Sequence, residues 1–384
     1  MRYPGNTTPT LDRLAENGLV FDQAVSPGVA TPTSMPTIFT GNGDFSDRSE
    51  IPDHMNRMRS ISERLSEHGY TTIGVTPNPF TSRHYDFDVG FDQFLDFLTD
   101  SDELSVRQQV VSRWVGGDFV AGLRFGLNMI GRGDISIDWE DYYPWILEQV
   151  ESVSEPFFLW VFLLEPHWPY RPPKRFRDGV SLPQMYYHNW KQSNLPDSDP
   201  DDPEVLLRLY DGTIRYVDEF IERITTDLRE YDPALVFHAD HGEAFGEHGE
   251  YGHSNLYQEN IHVPLLIAGT PERGRVQEPV SLKRLPDMID AIRRNASHEL
   301  PDYGETHVLS GNTNNYAIRG SGWKYVNRDG QELIYDLDSD PNENNPVVAE
   351  GSASDICQKI AQSKRSNDCE RRLISQVAET FDDV

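Results

Sequence analysis

The chain has 384 residues, and its 34 lysines and arginines stand against 63 aspartates and glutamates, which gives a formal net charge of −29 at pH 7. Such an excess of negative charge argues against binding to nucleic acid or to an anionic membrane surface. Hydrophobic residues make up 37% of the chain, which provides for a folded core and disfavours an acidic disordered protein.

The composition also indicates an environment. Lysine is scarce, so arginine carries most of the positive charge. Acid-rich, lysine-poor surfaces resemble those of halophilic archaea that accumulate salt, where carboxylates keep a protein hydrated. No apolar run reaches the ~20 residues that a membrane-spanning helix needs. We therefore expect a halophilic archaeal protein without a membrane span, located in the cytoplasm.

Apolar, β-prone segments alternate with helical stretches along the chain. Strands are predicted at residues 71–75, 157–164, 234–237 and 264–268, and helices at 61–68 and 205–228. This alternation predicts an α/β fold, a sheet flanked by helices. Residues 115–130 are predicted to form a core or lid helix. The stretch 174–203, rich in Pro, Asp and Ser, is predicted to be a long irregular loop near His167 that shapes the substrate mouth.

Length and composition predict one large domain followed by a small one. The large domain is placed at residues 1–299 and a small β subdomain at 300–345. Within the latter, residues 316–319 and 324–326 are predicted to be two strands around the turn Gly320-Ser321-Gly322. Residues 346–384 are predicted to be an acidic tail.

An aspartate and a histidine stand side by side directly after a predicted buried strand. The strand is residues 234–237, and the pair is Asp240 and His241. Ligands of open α/β sheets bind at the carboxyl ends of strands, and a carboxylate beside an imidazole suits Zn²⁺, Mn²⁺, Mg²⁺ or Ca²⁺. The alternative is a surface loop with an incidental Asp and His.

Several motifs resemble one known family. They are TTPTLDRLAENGLVFDQAVSPG and TPTSMPTIFTG near the start, then EPHWPY, YDGTIRYVD, HADHGEAFGEHG and YQENIHVPLLI. In sequence and order these motifs resemble the sulfatase family of the alkaline-phosphatase-like superfamily. The resemblance implies an alkaline-phosphatase-like central mixed β-sheet flanked by helices, with a small C-terminal α+β subdomain. It also implies a divalent metal ion (Ca, Mg, Mn or Zn) and, as substrate, a small-molecule or glycan sulfate or phosphate ester.

In this resemblance Thr31 occupies the position of the nucleophile and Ser34 that of the serine of the family motif, whereas Met35 stands where the family has Arg. The family's usual nucleophile is a Cys or Ser that is oxidised to formylglycine, which a threonine cannot become by that route. The spacing Thr31-x-x-Ser34-x-Pro36 resembles instead the phosphoethanolamine and phosphoglycerol transferases of the superfamily, in which a metal-bound threonine alkoxide attacks phosphorus. The alternative is that these hydroxyls only cap a helix.

Two histidines complete the predicted site. The resemblance implies that His167 contacts the anionic group and that His253 lies where many sulfatases keep a Lys or His on the leaving oxygen. Imidazole suits both tasks because its pKa lies near neutrality. The alternatives are a surface histidine beside a proline for His167 and a helix-start histidine for His253. His248 and His262 are not expected to take part.

Family members normally open with an apolar strand that ends in a metal-binding Asp, and the recorded chain begins after that point. We interpret this as a start that lies upstream of the recorded one; the alternatives are a truncated gene or a remodelled protein that binds metal poorly.

The resulting prediction is a metal-dependent hydrolase or transferase in which Thr31 attacks the ester. A metal ion bound by Thr31, Asp240 and His241 would assist it. Ser34, His167 and His253 would bind the substrate, and the two histidines would bind the anion and protonate the leaving group. The alternatives are a phosphoethanolamine- or phosphoglycerol-type phosphotransferase or phosphodiesterase, and a non-catalytic binding protein.

Overall fold

The computed structural model describes residues 5–43, 51, 54–55, 58–97, 137–194, 202–312, 314–348, 351 and 354–364. The predicted helix at 115–130 and most of the predicted acidic tail lie outside these residues. The chain divides into two compact units. The first unit is Met1–Arg13, Tyr70–Ser82 and Phe91–Tyr231, and the second unit is Leu14–Gly69, Arg83–Gly90 and Asp232–Val384. The domain boundaries near residues 300 and 345 stay a prediction.

Helices and strands alternate in the first part of the chain and strands dominate the last part. The helices are α1 (Pro9–Ala15), α2 (Thr31–Thr40), α3 (Ile61–Glu67), α4 (Trp139–Ser152), α5 (Leu182–Asn194), α6 (Pro203–Asp227), α7 (Gln258–Ile261) and α8 (Leu285–Arg293), and residues 354–364 are also helical. The strands are β1 (Leu19–Val25), β2 (Thr71–Val75), β3 (Gln93–Leu95), β4 (Phe157–Val161), β5 (Leu235–His238), β6 (Ala244–Phe245), β7 (Tyr251–Gly252), β8 (Leu265–Ala268), β9 (Gly274–Ser281), β10 (His307–Gly311), β11 (Tyr316–Gly320), β12 (Trp323–Arg328), β13 (Gln331–Asp336) and β14 (Val347–Val348).

The first unit contains a parallel sheet in the order β3-β2-β4. An aromatic cluster joins α4 to α6: the Trp139 ring centroid lies 5.6 Å from that of Tyr143 and 5.3 Å from that of Tyr216. Both helices are amphipathic and turn these large side chains inward, so the cluster forms much of the core of this unit.

The prediction of an irregular loop over residues 174–203 is wrong, because α5 occupies its centre. Met185, His188 and Asn189 are buried at helical spacing on one face of α5. The Asn189 amide accepts a hydrogen bond from Tyr170 N–H at 2.8 Å and donates one to Tyr170 O at 2.9 Å. These tertiary contacts outweigh the polar composition from which the loop was predicted.

The second unit contains a mixed sheet in the order β5-β8-β1-β9. Strand β8 is antiparallel to both of its neighbours, whereas β1 and β9 are parallel. All four residues of β8 are buried, as its run Leu-Leu-Ile-Ala requires. Phe39 of α2 packs edge-to-face on Phe87, with ring centroids 5.3 Å apart. The predicted α/β fold with a mixed sheet and flanking helices is confirmed, and the predicted strands are shared between this sheet and that of the first unit.

A second sheet in the same unit is antiparallel, in the order β10-β11-β12-β13-β14. The predicted hairpin is confirmed as β11 and β12, which pair antiparallel from Tyr316↔Asn327 to Arg319↔Lys324. Cys357 and Ala361 of the last helix belong to the same hydrophobic cluster as Ile318. No helix within the described ranges is both long and apolar enough to cross a membrane.

Candidate active site

The candidate site lies at the carboxyl end of β5. The chain leaves this half-buried strand and presents Asp240 and His241, whose Oδ2 and Nε2 atoms lie 3.7 Å apart. Both side chains are largely buried, with 15% and 8% of their surface exposed. Gly242 follows because the chain passes close to α7: a Cβ there would lie 2.1 Å from Glu259 O. Glycine thus fixes the path of the chain immediately after the pair.

The tautomer of His241 fits metal binding. Its Nδ1 lies 2.9 Å from Gly242 O, and a carbonyl oxygen can only accept, so Nδ1 carries the proton. Nε2 therefore presents its lone pair on the side of Asp240, which is how backbone carbonyls orient metal-binding histidines. Two ligands of one tetrahedral ion with ~2.1 Å bonds are about 3.4 Å apart. The 3.7 Å separation thus fits two ligands of one divalent ion.

Thr31 is the first residue of α2, and Ala30, in an extended conformation, is the N-cap. The Thr33 and Ser34 hydroxyls donate to Ala30 O at 2.9 and 3.0 Å, as the capping alternative expects for these two residues, whereas Thr31 does not hold the N-cap position. Ser34 Oγ lies 3.4 Å from Asp240 Oδ2. Thr31 and Ser34 are three positions apart and share a face of the helix, so the structure places this face beside the end of β5.

Ser26 is a structural residue of the site that the sequence analysis missed. It is fully buried, and its hydroxyl lies 2.6 Å from Gly28 O and in short contact with the backbone oxygen of Asp240. It thus joins the turn that precedes α2 to the end of β5. The turn residues Ser26-Pro27-Gly28 are a sequence signal for the turn, but no sequence signal indicates the contact with Asp240.

His253 lies beside the Asp-His pair, with its ring centroid 4.3 Å from that of His241. Its Nδ1 is 3.0 Å from Oε2 of Glu243, whose side chain is only 7% exposed. Burial lowers the pKa of His253, but the hydrogen bond and charge of Glu243, together with the charge of Asp240, outweigh burial and raise it above its ordinary value. The structure therefore places beside the pair an imidazole whose pKa is raised, held by a glutamate that the sequence analysis did not single out.

His167 belongs to the first unit, whereas the other predicted site residues belong to the second. Its Nδ1 is in short contact with Trp168 O, and its N–H donates to Leu164 O at 3.0 Å. Nearby Glu165 is half-buried, with its Oε2 atom inaccessible to solvent, and it accepts a hydrogen bond from Trp139 N–H at 2.7 Å. Desolvation of the carboxyl raises its pKa to about 8. The role of His167 in anion binding stays a prediction.

A second group with metal-ligating side chains occurs elsewhere in the described part of the second unit. Ligand atoms of His248, Glu259 and Glu343 all lie within 4.8 Å of one another. However, the Lys324 ammonium lies 2.6 Å from Glu343 and already supplies a positive charge there. His248 also stacks on Tyr257, with ring centroids 3.7 Å apart. This group is better explained as a buried ion-pair cluster than as a cation site.

Comparisons with known proteins point to one family. The family model described as Sulfatase matches residues 1–289. A sulfatase of Formosa agariphila is 23% identical over 404 residues, which cover 88% of this chain and 77% of the relative. Human iduronate 2-sulfatase is 24% identical over 319 residues, which cover 70% of this chain and 57% of the relative.

A solved structure supports the same fold. The phosphonate monoester hydrolase of Agrobacterium radiobacter superposes with a TM-score of 0.63 at 18% identity, over 97% of this chain and 91% of that one. At this identity the likeness concerns the fold alone.

Proposed function

Because this chain belongs to the sulfatase family, a family of hydrolases in the alkaline-phosphatase superfamily, we propose that it cleaves a sulfate or phosphate ester with Thr31 as the nucleophile. The observation that carries this proposal is the contact between α2 and the end of β5. Ser34 Oγ is 3.4 Å from Asp240 Oδ2, so the helix that opens with Thr31 meets the pair best suited to hold an ion.

Members of this family generally use a divalent metal ion, and Asp240 and His241 would hold it here. When bound, the ion would lower the pKa of a hydroxyl and offset the negative charge that builds on the transferring group. Thr31 Oγ1 would form the bond to sulfur or phosphorus while the bond from that atom to the alcohol oxygen breaks. Water would then attack the threonine ester and restore the hydroxyl.

His253 would protonate the leaving alcohol. The raised pKa of His253 favours its protonated form, and a protonated imidazole can donate a proton to the departing oxygen. The proton that Thr31 loses would pass to solvent, and His253, neutral once the alcohol has left, would take up a proton from the water that attacks the threonine ester. Ser34 is proposed to bind the anionic oxygens.

The alcohol is proposed to belong to a small molecule or a glycan. The name of iduronate 2-sulfatase refers to a sulfated sugar acid, and the acidic surface of this chain disfavours nucleic-acid esters. None of the contacts within the described residues favours the phosphotransferase or non-catalytic alternatives over hydrolysis.

The test is turnover of three esters, 4-nitrophenyl sulfate, 4-nitrophenyl phosphate and bis(4-nitrophenyl) phosphate, in high salt with each of Ca²⁺, Mg²⁺, Mn²⁺ and Zn²⁺. We expect turnover of at least one ester and a loss of roughly 10³-fold or more in Thr31→Ala. Thr226→Ala is the matched control, since Thr226 is exposed and its hydroxyl donates to Glu222 O within α6. Full turnover by Thr31→Ala would show that Thr31 is not the nucleophile.

A further inference from the structure

A cavity of about 160 Å³ lies in the second unit beside α2. This volume is roughly ten times the ~10–15 Å³ that one water molecule needs, so the cavity can admit a small organic group. Its polar lining includes amides, hydroxyls and one guanidinium, from Thr33, Thr37, Ser254, Asn255, Asn312, Asn315 and Arg328.

The cavity adjoins the proposed catalytic groups through three segments of chain. Thr33 lies on α2 directly before Ser34, and Ser254 directly follows His253. Gly28 also lines the cavity, and the hydroxyl of Ser26 binds both its carbonyl and the backbone of Asp240. The same short segments of chain therefore carry both the cavity lining and the proposed catalytic groups.

The amide side chains of the lining are fixed by the backbone. Asn255 Oδ1 accepts from Tyr257 N–H at 2.9 Å, and Asn315 Oδ1 accepts from Asp329 N–H at 2.8 Å. Asn312 Oδ1 accepts from Asn315 N–H at 2.9 Å. Within the described part of the chain the buried Asn255 Nδ2 has no acceptor. The wall is thus rigid, and it contains a donor whose hydrogen bond is not used.

Glycine allows the cavity to keep this shape. A Cβ at Gly28 would lie 2.5 Å from Thr33 Oγ1, and Gly311 has a φ of +97°, which other residues rarely adopt. Val29 and Leu256 add apolar surface to the lining. The cavity therefore offers hydrogen-bonding groups together with an apolar wall, as expected for ligand sites.

The charge of the lining favours a neutral ligand. Among the described residues that line the cavity, Arg328 alone has a full charge, and its Nη1 lies 3.4 Å from Glu250 Oε1. A second sulfate or phosphate would need more positive charge than this pair leaves. Sugar hydroxyls match the amide and hydroxyl groups, and the C–H face of a sugar ring matches Val29 and Leu256.

We propose that this cavity binds a hydroxyl-bearing sugar ring that belongs to the alcohol part of the substrate, an inference that rests on the proposed ester hydrolysis.

The first test is equilibrium binding of unesterified methyl glucoside and methyl galactoside to the full chain, followed by saturation-transfer NMR. We expect binding to the wild type and a loss of roughly tenfold in Arg328→Met, the size of one or two hydrogen bonds. Ser254→Trp, which places bulk at the exposed edge of the lining, should weaken binding by a similar factor. Arg273→Met is the matched control, because Arg273 is exposed and does not line the cavity.

The second test compares sulfate and phosphate monoesters of the same methyl hexosides with the corresponding 4-nitrophenyl esters. We expect the ratio of kcat/KM, sugar ester over aryl ester, to fall by roughly tenfold in both cavity variants. If the wild type binds a hexoside but turns over no ester, and the cavity variants weaken that binding, the cavity assignment is supported and the proposed hydrolysis is rejected. Turnover of aryl esters by a protein that binds neither hexoside would overturn the cavity assignment and leave the hydrolysis intact.

Discussion

His253 Nδ1 and Glu243 Oε2 lie 3.0 Å apart across the open end of a short hairpin. Strands β6 and β7 pair with Ala244 opposite Gly252, so the next residues outward, Glu243 and His253, face each other. The register of the hairpin therefore places the His253 imidazole beside the Glu243 carboxylate.

This pairing predicts how Glu243→Gln changes the pH profile. The neutral amide removes the charge that raises the pKa of His253, so the imidazole loses its proton at a lower pH. We expect the alkaline limb of kcat/KM to move to lower pH, measured with the ester that the enzyme turns over. Glu278→Gln, an exposed residue of β9, should leave the profile in place. An unmoved alkaline limb in Glu243→Gln would contradict the role of His253 as the acid.

Metal content should depend on the Asp240-His241 pair. The double variant Asp240→Asn, His241→Ala removes the carboxylate charge and the imidazole lone pair, so we expect it to retain less than a tenth of the ion that wild-type protein binds. The measurement is elemental analysis after dialysis against each of the four ions. His248→Ala tests the other cluster and should keep the wild-type metal content. Loss of metal in His248→Ala but not in the double variant would show that the ion binds at His248, Glu259 and Glu343 instead.

Removal of the Ser26 hydroxyl should loosen the joint between α2 and β5. We expect Ser26→Ala to lower the free energy of unfolding by about 1–3 kcal/mol, because the carbonyl oxygens of Gly28 and Asp240 lose the one proton that they share and Gly28 N–H loses its acceptor. Ser310→Ala is a matched control: Ser310 is 1% exposed, and its Oγ has no hydrogen-bond partner among the residues that the structure describes. Denaturant unfolding compares the two variants, and equal stabilities would show that the Ser26 contacts contribute nothing.

The buried carboxyl of Glu165 predicts a loss of stability with rising pH. Burial raises its pKa to about 8 in the folded protein, against about 4.3 in an unfolded chain. The folded state therefore holds the proton more tightly, so this stabilisation is complete below pH 4 and is lost as the pH rises to about 8. Since one pKa unit corresponds to about 1.4 kcal/mol, we expect Glu165→Gln to be more stable than wild type by a few kcal/mol at pH 8.5 and nearly equal at pH 4.5.

Thermal unfolding at the two pH values measures this difference. The exposed Glu151→Gln should follow the wild type at both. A Glu165→Gln protein with the same pH dependence as wild type would mean that Glu165 ionises normally.

Lys324 and Glu343 form an ion pair with both side chains 0% exposed, 2.6 Å apart. Lys324→Met leaves a buried carboxylate without its cation and should cost about 3–5 kcal/mol of unfolding free energy. The double variant Lys324→Met, Glu343→Gln should recover most of this loss, since no charge then stays buried. Lys364→Met breaks a pair that is 20% exposed on each side and should cost at most about 1 kcal/mol. Equal losses in both single variants, measured by denaturant unfolding, would contradict the effect of burial.

The sequence by itself determined the local features of this protein. Runs such as Thr71–Val75 and Leu265–Ala268 are apolar and β-prone, and they form strands within a residue of the predicted bounds. The adjacency of Asp240 and His241 after a strand is also local, and so is the turn between β11 and β12. Side-chain periodicity and turn residues act over a few positions, which is why they can be read from the chain alone.

Only the tertiary structure decided which distant residues meet. Helix α5 forms in a polar stretch because Asn189 bonds to the backbone of Tyr170, and Ser26 reaches Asp240 across 214 positions of chain. Strand register places Glu243 against His253. The cavity of the second unit likewise combines residues from separate segments, from Thr33 on α2 to Arg328 on β12. Such contacts depend on how elements pack, and packing is a property of the whole core rather than of any local pattern.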